Sequence, residues 1–148
     1  MLEGKLPAEY ECERLTRLPL VLLVPKNSKW RSAADVWRQT PMRENLIALE
    51  KNNPITRSFE EGLQRRKIEW HPFIRATSIE VAETYVAEGL GIGISLAMPG
   101  HNWLNAGLRA LPLHQFEHVS VGLVWRRKCT AALLGLINEL RRAARELV

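Results

Sequence analysis

Two predicted helices begin with hydroxyl residues, and these starts are the feature of the sequence best suited to binding a small anion. The first lies in "ITRSFEE" (residues 55–61) and the second in "ATSIEVA" (76–82). The first backbone N–H groups of a helix have no partner within it, so they attract anions, and hydroxyls add donors. When the two starts are considered separately, helix capping alone explains the hydroxyl residues at each of them. Anion binding requires that both starts face one cleft, as happens where parallel strands end together.

Gly89, Gly91 and Gly93 form a G-x-G-x-G pattern, which raises the question of nucleotide binding. The dinucleotide fingerprint places its glycines after a strand and at the opening of a helix. In "YVAEGLGIGISL" the glycines close a helix and open a strand, which is the reverse order. We therefore predict that Gly89 caps the helix in a left-handed conformation, and that the other two glycines permit close packing on the strand.

The sequence offers no catalytic constellation and no metal-ligand spacing, so we expect neither enzymatic activity nor a metal or other cofactor. His114 and His118 are four residues apart, but no Cys or carboxylate pair completes a metal set nearby. Ser95 lacks the second glycine of a nucleophile elbow. Cys12 and Cys129 are far apart in sequence, and we expect both to be free thiols in a cytoplasmic protein.

Composition and charge are typical of one soluble globular domain. The chain has 148 residues, a formal net charge of +5 and 46% hydrophobic residues. A globule of this length buries a core without help from disulfides or metals. Its basic clusters (64–67, 125–128 and 140–145) are short and dispersed, so we interpret them as solvated faces. Neither a membrane span nor a signal peptide is expected.

Strand and helix patterns alternate along the chain, which predicts an α/β fold with a largely parallel sheet. An apolar run bounded by prolines predicts the first strand. The predicted strands cover residues 17–26, 44–51, 69–77, 91–96, 108–113 and 118–127. The predicted helices follow residue 32, residue 53 or 58, residue 77 and residue 130.

The helix between residues 52 and 67 has two possible starts. Asn53 could cap it, with Pro54 at the first helical position. Alternatively Ser58 caps it, with Glu61 three residues on completing a capping box. We favour Ser58, which leaves residues 54–57 as a loop entering the helix.

Two further helices have amphipathic patterns. For the helix after residue 76 we predict a capping box of Thr77 and Glu80, although Ser78 could cap instead. The last helix is the longest. Its predicted buried stripe consists of Leu133, Leu136, Ile137, Leu140 and Ala144.

Three segments in order carry a family resemblance. They are "LPLVLLVPKNSKW", then "TRSFEEGLQRRKIEWHPFIRATSIEVAETYVAEGLGIGISLAMPG", then "LRALPL…VGLVWRRK…AALLGLINEL". The most specific piece is a strand, Ala-Thr-Ser, a helix with "VAEGLGIGI" and a proline-containing loop. Over roughly residues 15–147, the chain resembles the effector-binding domain of LysR-type transcriptional regulators.

The resemblance implies a fold like that of the type II periplasmic binding proteins, in which two crossing strands join two α/β lobes. This chain would comprise essentially the second lobe, with the crossing strands and the C-terminal helix of the first. The implied order is a first-lobe remnant (1–17), the outgoing strand (18–25), the second lobe (26–118), the returning strand (119–125) and the C-terminal helix (126–148).

Part of the family's architecture has no counterpart in this sequence. The N-terminal winged helix-turn-helix and most of the first lobe are expected to be absent, so DNA would be contacted only through that absent domain. The apolar stripe of the last helix would then lack its usual sheet, which predicts self-association.

The resemblance also implies a function, namely effector sensing in a transcriptional regulator. A small anionic inducer, a carboxylate for instance, would bind between the lobes and act through the arrangement of a homo-oligomer. The implied effector-binding residues are Thr56, Arg57, Ser58, Thr77 and Ser78, with Pro99 and Trp103 at the rim. Arg57 could pair with a carboxylate through two hydrogen bonds. The alternative is a truncated chain that serves only as a dimerisation or interaction module and binds no ligand.

Overall fold

The computed structural model describes residues 6–147, which form two units. Unit 1 contains the residues up to 18 and those from 120 onward, and unit 2 contains residues 19–119. The strands are β1 (Tyr10–Leu18), β2 (Leu20–Pro25), β3 (Leu46–Leu49), β4 (Pro72–Ala76), β5 (Ile92–Leu96), β6 (Leu108–Pro112) and β7 (Val119–Arg126). The helices are α1 (Ala33–Trp37), α2 (Pro54–Arg65), α3 (Ile79–Ala87) and α4 (Ala131–Glu146), with a 3₁₀ turn at Trp103–Ala106.

Unit 2 is built on a five-stranded sheet of order β4-β3-β5-β2-β6. β3 pairs in parallel with β4 and β5, whereas β2 pairs antiparallel with β5 and β6. The predicted parallel arrangement therefore holds for β4, β3 and β5, and β2 runs against its neighbours. The apolar run of β2 indicates that the strand is buried on both faces of the sheet. Such burial is the same for a parallel and an antiparallel strand, so the run does not predict the direction of β2.

The core of unit 2 lies around this sheet. Residues 20–24 are at most 3% exposed. α3 packs closely on the sheet because Gly93 has no side chain: a Cβ there would lie 2.7 Å from Val86 Cγ2. Gly89 follows α3 with φ +79°, so the predicted left-handed cap and the close packing are both confirmed.

α2 begins earlier than we predicted. Asn53 is its N-cap and accepts a hydrogen bond from Ile55 N at 2.9 Å, with Pro54 in the first turn. The prediction of a capping box at Ser58 was wrong, and the alternative start at Asn53 is correct. The earlier start extends the buried face by one turn, because Ile55 lies one turn before Phe59 on the same side of the helix.

α3 is capped by Ser78, whose hydroxyl accepts a hydrogen bond from Val81 N at 3.3 Å. Our first choice, a capping box at Thr77, was wrong, and the Ser78 alternative is correct. Ser78 has the extended backbone of a cap residue (φ −148°, ψ 165°), so Thr77 lies immediately before the N-cap.

An aromatic cluster fills one side of unit 2. Phe116 stacks on Phe59 at 5.5 Å and on Trp37 at 6.1 Å between ring centroids. Trp70 meets both Trp37 and Phe59 edge to face, at 5.8 and 6.1 Å. These rings join α1, α2 and the segment after β6 into one packed layer.

In unit 1, β1 and β7 form a two-stranded sheet and α4 packs on β1. Arg127 N donates to Glu9 O while Gly122 lies against Glu13, so the two strands run in opposite directions. We did not predict β1 as a strand, because its sequence is mostly charged and polar.

The buried face of α4 is narrower than we predicted. Ile137 and Ala144 are buried, whereas Leu136 is 54% and Leu140 38% exposed. The prediction that both leucines are buried was wrong, because the β1 strand covers only part of the apolar face of the helix.

Candidate functional site

The starts of α2 and α3 meet at one edge of the unit 2 sheet. Leu49, the last residue of β3, is in register with Ala76, the last residue of β4, and a helix follows each strand. β4 and β5 lie on opposite sides of β3, so the two crossovers run in opposite directions. Right-handed crossovers then place α2 and α3 on opposite faces of the sheet. The carboxyl ends of β3 and β4 thus form a topological switch point, where α/β sheets bind ligands.

The start of α3 offers hydroxyl groups next to an acidic side chain. Thr77 is exposed and Ser78 is half-buried. The Glu80 carboxylate accepts hydrogen bonds from its own backbone N–H and from the Ser78 hydroxyl, and these bonds hold the pKa of Glu80 below its ordinary value. A carboxylate of the chain itself therefore already occupies this helix start.

The hydroxyl groups of α2 are engaged within the protein. Thr56 is fully buried, and its Oγ1 accepts a hydrogen bond from Leu49 N at 3.1 Å. The Ser58 hydroxyl donates to Glu117 O at 3.0 Å. These bonds fix α2 against the end of β3 and against the segment after β6. Arg57 lies between them in sequence and is exposed.

Arg75 supports the same edge, although sequence reasoning did not single it out. Its Nη1 donates to Leu49 O at 3.1 Å, and its Nη2 lies 3.5 Å from Glu60 Oε1. Both polar backbone groups of Leu49 are thus held by side chains, one from α2 and one from β4. A charged residue inside the short strand "PFIRA" was the available signal.

The two predicted rim residues lie in the connection after β5. Pro99 is exposed and follows the carboxyl end of β5, which is at the same sheet edge because β5 is parallel to β3. Trp103 Nε1 donates to Glu83 Oε1 at 3.3 Å, so this ring lies against α3. His101 Nε2 is 3.6 Å from the same oxygen.

This edge of the sheet carries several hydrogen-bond donors. They are helix N–H groups, the hydroxyls of Thr77 and Ser78, and the guanidinium of Arg57. Among residues 6–147, no group of three or more His, Cys, Asp or Glu side chains could hold a metal ion. In the same part of the chain, no helix has the length and apolar character needed to cross a membrane.

Comparisons with known proteins agree with this architecture. A family model described as the LysR substrate binding domain matches residues 1–145. No curated protein matches the chain. A crystal structure of HinK, a LysR family transcriptional regulator from Pseudomonas aeruginosa, aligns with TM-score 0.76 and 18% identity, over 100% of this chain and 52% of that one.

Two further solved structures contain small molecules. The effector binding domain of QuiR in complex with shikimate has TM-score 0.73 and 13% identity, covering 99% of this chain and 69% of that domain. The regulatory domain of CcmR from Synechocystis in complex with 2-PG has TM-score 0.71 and 14% identity, covering 97% and 72%. The chain spans about half the length of the longest of these relatives, HinK, of which it covers 52%.

Proposed function

Because this chain belongs to the LysR substrate-binding domain family, which supplies the effector-binding domains of transcriptional regulators, we propose that it senses a small anionic effector at the carboxyl edge of the unit 2 sheet. The family is regulatory rather than catalytic. The observation that carries the proposal is the meeting of the α2 and α3 starts beside the ends of β3 and β4. Relatives of the same fold have been solved with small molecules, which supports effector binding.

Each proposed site residue has a distinct role. Thr77 donates to the effector through its hydroxyl, and Arg57 pairs with the effector carboxylate. Ser78 donates to the effector in place of its bond to Glu80. Thr56 and Ser58 hold α2 in position through their bonds to Leu49 and Glu117. Pro99 and Trp103 form the rim.

The remaining parts of the proposal concern the whole regulator. The effector binds one arrangement of a homo-oligomer more tightly than another, so its binding shifts the oligomer toward the first arrangement. DNA is contacted by a domain outside this sequence, and the regulator works in the cytoplasm.

The test is isothermal titration of the chain with a panel of small carboxylates. Binding should also raise the free energy of unfolding, by roughly 2.7 kcal/mol at a hundredfold excess over the dissociation constant, and with it the midpoint of thermal unfolding. We expect Thr77→Ala to weaken binding about ten- to a hundredfold by removing one hydrogen bond to a charged group. Thr84→Ala is the matched control, since Thr84 is exposed on α3 away from its start. Equal affinity of both variants would contradict the site, and no binding across the panel would contradict the function.

A second candidate function is an interaction module that binds no effector. The observation that favours it is the exposed apolar surface of unit 1, where Val124 on β7 is 44% and Leu134 on α4 49% exposed. We take a second copy of the chain as the partner. Self-association without any response to carboxylates would favour this candidate over effector sensing.

A further inference from the structure

A concave surface lies on unit 2, at the opposite sheet edge from the starts of α2 and α3. It is an open depression of about 320 Å³. Its lining consists of Lys29, Trp30, Gln39, Thr40, Pro41 and Arg43. These residues follow the carboxyl end of β2 and precede the amino end of β3, and the two ends share one edge because β2 runs against the parallel strands. We propose that this depression is a separate site for a ligand with one aromatic ring and one anionic group.

Two positively charged side chains line the depression. Lys29 and Arg43 are both exposed, and within residues 6–147 neither side chain forms an ion pair. Asp35, the acidic residue nearest to Lys29 in sequence, is already engaged by Arg38 at 3.0 Å and by two backbone N–H groups. Glu44 adjoins Arg43 in sequence, but the two side chains form no ion pair in the described part of the chain. The two cations therefore keep their charge available to an anionic ligand.

The depression also has an aromatic ring in its lining. Trp30 is half-buried, and Lys29 Nζ lies 4.6 Å from the centroid of its ring. The ammonium lies over one face of the indole ring. The ring of a planar anion can then pack edge to face against the indole while its anionic group pairs with the ammonium. A ligand with a ring alone or a charge alone would use only half of this arrangement.

The walls of the depression are held in place by hydrogen bonds. Arg109 Nη2 donates to both Ser28 O and Trp30 O, which fixes the segment that bears Lys29 and Trp30. On the other wall, Gln39 Oε1 accepts from Arg43 N at 3.0 Å. A site with fixed walls loses little conformational freedom when a ligand binds.

The volume limits the size of the ligand. Ligand clefts commonly measure about 300–1,000 Å³, so a depression of about 320 Å³ fits the smallest ligands. We therefore expect a single ring, with a carboxylate or a phosphate as its anionic group.

The experiment is a nuclear magnetic resonance titration of the ¹⁵N-labelled chain, following the indole N–H signals of its five tryptophans. Trp30→Phe assigns the Trp30 signal by its loss. The probes are benzoate and phenyl phosphate, with benzamide as the neutral ring and cyclohexanecarboxylate as the non-aromatic anion. We expect saturable shifts of the Trp30 signal with the two aromatic anions, and markedly weaker binding of the two controls. The tighter of the aromatic anions identifies the anionic group.

Charge removal provides the decisive comparison. Lys29→Gln combined with Arg43→Gln should weaken benzoate binding at Trp30 about three- to tenfold, while Lys128→Gln in unit 1 should leave it unchanged. Thr77→Ala should also leave it unchanged, which separates this site from the effector site. The proposal is overturned if benzamide binds as well as benzoate, if the double variant binds as well as the wild type, or if the Trp30 signal does not shift.

Discussion

At the scale of single residues, the start of α3 is defined by Ser78 and Glu80. Ser78 caps the helix, and the Glu80 carboxylate bonds to its own N–H and to the Ser78 hydroxyl. An acidic group at a helix start is favourable to the fold, because the N-terminus carries partial positive charge. It also occupies the groups that an anionic effector would use, so fold and binding compete for the same donors.

Glu80 gives a prediction about pH. Its pKa is lowered in the folded chain by the bonds to its own N–H and to Ser78, from an ordinary value of 4.5. Such a group contributes stability that is present above the unfolded pKa and lost as the pH falls through the folded pKa. Between about pH 6 and about pH 3, the unfolding midpoint of the wild type should therefore fall more than that of Glu80→Gln, measured by thermal denaturation.

The control for this prediction is Glu61→Gln, which changes an exposed carboxylate on α2 beyond the first turn. Glu61→Gln should follow the pH profile of the wild type. If Glu80→Gln also follows the wild-type profile, the carboxylate does not stabilise the start of α3.

At the scale of elements, the packing of α2 against Phe116 depends on Gly62. A Cβ at this position would overlap the ring of Phe116, which is stacked on Phe59 of the same helix. Gly135 in α4 is also helical, but a Cβ there would meet nothing within 4 Å. Two helical glycines thus have opposite surroundings in one chain.

This contrast predicts opposite signs for two alanine substitutions. Gly62→Ala should destabilise unit 2 by about 1–3 kcal/mol through overpacking, even though alanine favours helix. Gly135→Ala should stabilise α4 by about 0.5–1 kcal/mol, because the helix gains propensity without a clash. Urea denaturation followed by circular dichroism measures both changes. The overpacking explanation predicts that Phe116→Leu partly rescues Gly62→Ala, and full additivity of the two substitutions would contradict it.

Much of this element structure was predictable from local sequence. α1 begins after residue 32 as predicted, where Ser32 and Asp35 form a capping box, and Gly89 adopts the predicted left-handed conformation. The start of α2 was not predictable in the same way, because Asn53 and Ser58 are both acceptable caps. Burial of Ile55 in the core decides between them, and that depends on tertiary packing.

The candidate site was predictable in its location more than in its details. Alternating strands and helices indicate that helix starts gather at one sheet edge. The bonds from Thr56 and Arg75 to Leu49, and from Ser58 to Glu117, join residues that only the folded sheet brings together. No local pattern encodes these partners.

At the scale of the whole molecule, the two units differ in how completely they cover their apolar residues. Unit 2 encloses its sheet between helices, and its five central β2 residues are at most 3% exposed. In unit 1, Leu136 and Leu140 on α4 and Val121 on β7 are all at least 36% exposed. Leu136 and Leu140 are four residues apart on α4, so they share one face of the helix, and an exposed apolar face favours association with another protein surface.

This difference predicts concentration-dependent self-association through unit 1. Leu136→Gln combined with Leu140→Gln should raise the dissociation constant of the dimer roughly tenfold or more, because two apolar contacts are lost. Sedimentation velocity over a range of concentrations measures this. Phe73→Gln is the control, since Phe73 is 70% exposed but lies on β4 of unit 2. A chain that stays monomeric at all concentrations, or a control that dissociates equally, would contradict this interface.

The aromatic cluster of unit 2 has a spectroscopic consequence. Trp37 and Trp70 lie 5.8 Å apart at an interplanar angle of 80°, a separation at which the electronic transitions of two indoles couple. Phe59, a residue of α2, contacts the ring of Trp70, so a displacement of this helix alters the surroundings of the coupled pair. The near-ultraviolet circular dichroism of the chain is thus an intrinsic optical reporter of where α2 sits, and it requires no attached label.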